Sequence, residues 1–129
     1  MGYTIDRTFL ETDFATIVDR TKSALASKGF GILTEIDVKA TMKTKIDADM
    51  DSYLILGACN PNMAYRAIGM EPNVGAMLPC NVIVRELKEG LVQVSAIDPV
   101  ASMQAIANED LKSVAAQVRD ILKNVVDEI

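Results

Sequence analysis

Histidine is absent from the chain. That excludes hydrolysis by Ser-His or Cys-His pairs and removes the commonest zinc ligand. Cysteine occurs only twice, as Cys59 and Cys80, and never in C-x-x-C spacing. Two thiols are too few for zinc. No apolar run approaches the ~18 residues of a membrane-spanning helix. No glycine-rich phosphate loop and no basic cluster are present, and the net charge is −5. Little is therefore available to replace DNA counterions, and no nucleic-acid partner is expected. The opening MGYTIDRTF lacks the basic-then-apolar order of a signal peptide. An acylated Gly2 would want Ser or Thr where Asp6 stands. Those absences together predict a cytoplasmic protein, away from membranes, with reduced thiols.

What is present fits one domain over 1–129, large enough for a core without disulfides. Half the residues are hydrophobic and 24% are charged, as in ordinary globular chains. The seven methionines are accounted for as soft gap-fillers. The organising stretch is 51–85, which holds both Cys-Asn pairs and three of the four prolines. There Tyr53-Leu54-Ile55-Leu56 runs into Gly57-Ala58-Cys59, then Asn60-Pro61 and a helical pattern. Cys80-Asn81 opens a second apolar run, Val82-Ile83-Val84.

Taken in order, residues 2–9 alternate as a strand interrupted only by Arg7. Thr12 or Asp13 caps a helix whose stripe is Phe14, Ile17, Val18, Thr21 and Leu25, and Gly29 ends it. Residues 30–36 form a second strand, and Asp37 caps a helix from Val38 to Ile46. Asp47, Asp49 and Asp51 follow, but counted from Asp47 the sixth and twelfth positions are Ser52 and Ala58. A calcium loop requires Gly and Glu there. The third strand is 52–59, apolar on both faces and so central. Asn60 as N-cap with Pro61 at the first helical position starts the third helix. Strands at 78–87 and 91–97 form a hairpin about Lys88-Glu89-Gly90. Asp98-Pro99 starts a helical stretch to about Ile106. From Asn108 onward, Leu111, Val114, Ala115, Val118, Ile121, Leu122 and Val125 mark a long C-terminal helix. The order β-α-β-α-β-α-β-β-α predicts an α+β, two-layer α/β sandwich with about five strands and helices on one face.

Gly57-Ala58-Cys59-Asn60-Pro61, then Ala64 and Arg66-Ala67, then Leu78-Pro79-Cys80-Asn81-Val82, and finally Asp98-Pro99, together resemble the signature of domain-of-unknown-function family 302. Gly29-Phe30-Gly31 and Glu35-Ile36-Asp37-Val38 extend that resemblance over nearly the whole chain. It implies a two-layer α/β sandwich, similar in topology to the TATA-binding-protein class, and no established reaction or cofactor. It implies also that Cys59, Asn60, Pro61, Cys80 and Asn81 occupy motif positions. Fold likeness to a DNA-binding class transfers no function.

Two functional readings follow. One is a small non-catalytic binding or interaction module with a ligand pocket at the Cys59-Asn60-Pro61 turn. Its candidate residues are Cys59, Asn60, Tyr65, Arg66, Cys80 and Asn81, and Arg66 is the cation for a small anionic ligand. The other is a thiol-dependent redox or soft-metal protein using Cys59 and Cys80, with Met63 and Met77 as further Cu(I) donors. No catalytic group, resident metal or cofactor is specified. A homodimer is expected, because Met70, Val74, Ala76 and Met77 have no place in the core pattern.

Overall fold

A computed structural model of the chain describes residues 2–129, so Met1 of the expected domain lies outside the described residues. The strands are β1 (Thr4–Leu10), β2 (Gly31–Asp37), β3 (Tyr53–Cys59), β4 (Cys80–Lys88) and β5 (Leu91–Ile97). The helices are α1 (Phe14–Ser27), α2 (Val38–Ile46), α3 (Pro61–Met70), α4 (Pro99–Ser102) and α5 (Glu109–Glu128). All neighbouring strands are antiparallel, in the order β1-β5-β4-β3-β2. This is the α+β two-layer arrangement read from the sequence, with β3 between β2 and β4 as its two apolar faces required.

Capping side chains set where the helices begin. The Asp13 carboxylate accepts from the Thr16 N–H at 2.7 Å, and the Asp37 carboxylate accepts from Ala40 at 2.9 Å. Each satisfies a backbone donor that the helix itself leaves free. Gly29 follows α1 with φ +82°, a left-handed turn that a side chain would strain.

One face of the sheet and the inner sides of α1 and α5 make the principal core. Leu56, Val82, Val84, Val92, Val94 and Ala96 are wholly buried against Ile17, Leu25 and Leu122. A second cluster joins Ala67, Val74, Met103, Leu111 and Ala115. Arg7, the apparent interruption of β1, has a role in this packing. Its guanidinium lies 4.6 Å from the Phe9 ring centroid and donates to the carbonyls of Val126, Asp127 and Ile129 at the end of α5.

Four features differ from that reading or go beyond it. Regular alternation along β2 is lost at a register shift between Ile32 and Thr34, which leaves Ile36 46% exposed. Helix α2 buries none of its side chains, since its larger apolar side chains are only Val38, Met42 and Ile46 and it packs chiefly on β2 and β3. The helical stretch from Pro99 stops at Ser102 rather than Ile106. Pro72–Met77 winds into a 3-10 helix that buries Val74 completely. That burial, with Met70 packed on the principal core, removes most of the apolar patch on which the homodimer was first argued. Only Ala76 and Met77 of it remain exposed.

Seven side chains of α5 are buried, among them Val118. Burying a Val or Leu contributes roughly 1.5–3 kcal/mol, so this helix holds much of the stability. Val118→Asp should lower stability by more than about 3 kcal/mol, because a carboxylate would be buried unpaired. Chemical denaturation would test this, and an unchanged midpoint would contradict the burial of that face.

Candidate functional site

The site grows from the end of β3. Leu56 and Ala58 point into the core, and Gly57 between them sits where no side chain fits. A Cβ on Gly57 would collide with the Thr34 hydroxyl and come within 2.9 Å of the Pro79 ring. Cys59 is the last residue of the strand, and Asn60 then turns the chain into α3. The Asn60 side-chain oxygen accepts from the Met63 N–H at 3.3 Å, and Pro61 occupies the first turn. Helix α3 leaves along a line that turns Met63, Ala64 and Ala67 inward.

Between α3, α4, α5 and the ends of β3 and β4 lies a cavity of about 40 Å³. Its walls come from Ala58, Cys59, Asn60, Met63, Ala64 and Ala67 on one side and Leu78, Pro79 and Cys80 on another. Pro99, Met103, Leu111, Val114, Ala115 and Val118 close it, with Phe30. It therefore lies along the seam between the two apolar clusters, taking wall residues from both. The lining is almost wholly apolar. The lining residues that carry side-chain hydrogen-bonding groups are Asn60, whose amide oxygen is engaged as a helix cap, and the two cysteines.

Of the six candidate residues, Cys59, Asn60 and Cys80 come together on this cavity. Tyr65 and Arg66 do not line it. With Ala64 and Ala67 turned inward, the helical period carries both to the outer side of α3, where Tyr65 is 83% exposed. Asn81 lies between the inward-facing Cys80 and Val82, so strand alternation places it on the opposite face, exposed. Met63 lines the cavity, whereas Met77 is 43% exposed outside it. Pro99, Met103, Leu111 and Ala115 are wall residues that sequence reasoning missed as site residues. Asp98-Pro99 and the α5 stripe were visible as local signals, but their convergence on α3 is a tertiary fact.

The two thiols differ in environment. Cys59 is partly exposed and Cys80 is buried. At the end of β3 Cys59 pairs with Gly31, which has no side chain to cover it. Cys80 pairs with Ala58, so the two cysteines are offset by one residue rather than directly opposed. Burial pushes the Cys80 thiol up to about 11, and the charge of a Cys59 thiolate adds to the effect. At neutral pH Cys80 is therefore a neutral, apolar wall group and not a nucleophile.

Asp47 and Asp49, read from sequence as part of a solvated acidic loop, both pair with the Lys43 ammonium, at 2.8 and 3.2 Å. No helix among the described residues is long and apolar enough to cross a membrane.

A family model described as domain of unknown function DUF302 matches residues 5–129. No curated protein matches the chain. A solved structure, that of an uncharacterized conserved protein DUF302 from Bacillus stearothermophilus, is similar at a TM-score of 0.90 with 24% sequence identity. The alignment covers 99% of this chain and 98% of that one. At that identity the likeness is one of fold.

The Cys80 environment gives a pH dependence of fixed sign. The unfolded thiol loses its proton near 9.0 and the folded one near 11. The stability that this burial preserves is complete below pH 9 and is lost as pH rises through 11. Between pH 9 and 11 the wild type should lose about 3 kcal/mol more than Cys80→Ala. Parallel urea titrations of the two proteins measure the difference, and coincident pH profiles would show that Cys80 is not buried as a neutral thiol.

Proposed function

The chain belongs to the DUF302 family, and from that premise we propose that it is a small-ligand binding module without catalytic chemistry of its own. The observation that carries this reading is the apolar cavity at the Cys59-Asn60-Pro61 turn. A concave, largely apolar space with few polar groups is the usual form of a small-molecule site. At about 40 Å³ the space is far below the ~300–1,000 Å³ of drug-sized ligands. It suits a very small apolar molecule or the apolar end of a larger one. The non-catalytic part of the reading is supported by the lining itself, since Cys80 is held neutral and Asn60 is occupied as a cap. The cytoplasmic setting expected for reduced thiols accords with the two cysteines being free.

Benzene is a suitable first probe, being small, uncharged and apolar. In a methyl-detected NMR titration, the signals of Ala67, Leu111 and Met63 should shift and saturate. Ala67→Leu, which fills the space, should abolish the shift while leaving the rest of the spectrum folded. Failure of benzene to perturb those methyls near its solubility limit would remove the cavity as a binding site.

The module works as a homodimer through the sheet face turned away from α1 and α5. One cross-strand row on that face runs Asp6, Ser95, Ile83, Ile55 and Ile36. Ile83 and Ile55 are partly exposed, and Ile36 is 46% exposed. Asp6 at one end and Arg85 beside Ile83 give this face charges of both signs, so two copies can meet antiparallel with opposite charges opposed. Light scattering should return twice the chain mass of 14.0 kDa, and Ile83→Glu should return a folded monomer. A wild type that stays at the mass of one chain across the accessible concentration range would refute dimerisation.

A further inference from the structure

We propose, resting on the small-ligand reading above, that the cavity and a neighbouring surface groove form one tunnel for a single-chain fatty carboxylate, with Met103 as the movable wall and Lys112 as the cation at the mouth. The groove holds about 220 Å³ and is lined by Val100, Met103, Gln104, Lys112 and Ala115. Met103 and Ala115 also line the inner cavity. The two spaces therefore share one thioether side chain and one methyl group as a common border.

The two parts of that partition differ in what they can do. Ala115 is fixed on α5, whereas Met103 has three rotatable side-chain bonds and a polarizable sulfur that adapts to changed packing. Met103 also follows α4, which is only four residues long. Its backbone is held locally, its N–H donating to the Pro99 carbonyl at 3.0 Å and its carbonyl accepting from Ile106 at 3.0 Å. A rotamer change can then move the side chain without unfolding the segment. Such a change joins the groove to the space beside Cys80.

The chemistry along the tunnel is graded. The inner end offers methyl groups, thioethers and a neutral thiol, which accept an alkyl chain and reject a charge. At the outer end is Lys112, one turn before Ala115 on α5. Its ammonium pairs with Glu109 at 3.4 Å, and both partners are well exposed. A pair of that kind contributes little and exchanges readily. A ligand carboxylate at the groove mouth can take the place of Glu109, while its tail passes Met103 into the interior. The occupant is a soluble fatty carboxylate, whose single alkyl chain enters past Met103.

Calorimetric titration of the intact protein with acetate, hexanoate, octanoate and decanoate tests the assignment. Affinity should rise about fourfold per added methylene until the cavity is full. Lys112→Gln, an exposed change that leaves the core intact, should weaken decanoate about tenfold and leave decanol nearly unaffected. The methyl carbon of Met103 should shift on saturation. Decanoate binding no better than acetate, an unaltered Lys112→Gln affinity, or an unmoved Met103 signal would each overturn the tunnel. Benzene in the same protein separates the two levels. If it still shifts Ala67 and Leu111 while decanoate fails, the small cavity stands and the fatty-carboxylate assignment falls. If benzene fails as well, both fall.

Discussion

The carbonyl end of α5 concentrates partial negative charge, and it ends against the sheet rather than in open water. Four unpaired carbonyls there would be costly to bury without donors. Arg7 from β1 reaches three of the carbonyls, those of Val126, Asp127 and Ile129, at 2.8–3.1 Å. Arg20 from α1 reaches the Ile129 carbonyl at 2.8 Å. Both guanidinium groups also lie over the Phe9 ring, at 4.6 and 5.4 Å from its centroid. Cations at this end answer the helix dipole, and the planar fork of arginine serves several acceptors from one fixed position. The arrangement ties the first strand, the first helix and the last helix together. It fixes where α5 lies along the sheet, and α1, α3 and α4 pack against α5.

At the other end of α5 the constraint is different. Asn108 caps the helix through a 3.1 Å bond from the Leu111 N–H, and its amide donates to the Met70 carbonyl at 3.2 Å. One side chain thus joins the start of α5 to the end of α3. Held at both ends, α5 has to bridge the sheet-based core and the smaller cluster formed with α3, α4 and the 3-10 turn. Two apolar clusters packed under separate constraints meet along a seam. The cavity occupies that seam, which is why its walls come from five separate segments of the chain.

Legibility in the sequence followed the range of the interaction. Caps and apolar periods act over three or four residues, and Asp13, Asp37, Asn60, Asp98 and Asn108 each announced a helix start that the structure contains. The central place of β3 was legible for the same reason, as both of its faces are apolar. Arg7 read as a break in a strand, because its partners lie more than a hundred residues away. Val74 read as a surface patch, because the 3-10 turn that buries it has no strong local signature. In the site, Cys59, Asn60 and Cys80 converge because β3 and β4 are neighbours. Tyr65 and Arg66 were near in sequence to that motif, but the helix turns them away from it. Adjacency in a helix is a poor guide to a shared wall, whereas spacing by three and four is a good one.

The cost of the seam bears on what it is for. Unfilled volume in a core destabilises by about 24 cal/mol per Å³, so the cavity of about 40 Å³ costs at most about 1 kcal/mol. A domain with a net stability of ~5–15 kcal/mol carries that without difficulty. The walls contain Ala58, Ala64, Ala67 and Ala115, where one larger side chain would close the space. They also contain Met63 and Met103, side chains that fill or vacate volume by rotation. An arrangement of small rigid residues around two adaptable ones keeps the empty form compact and lets the volume grow along one direction. Rotation of Met103 leads toward the groove and Lys112, because Met103 borders both spaces, whereas Ala58, Ala64, Ala67 and Ala115 are fixed on strand or helix.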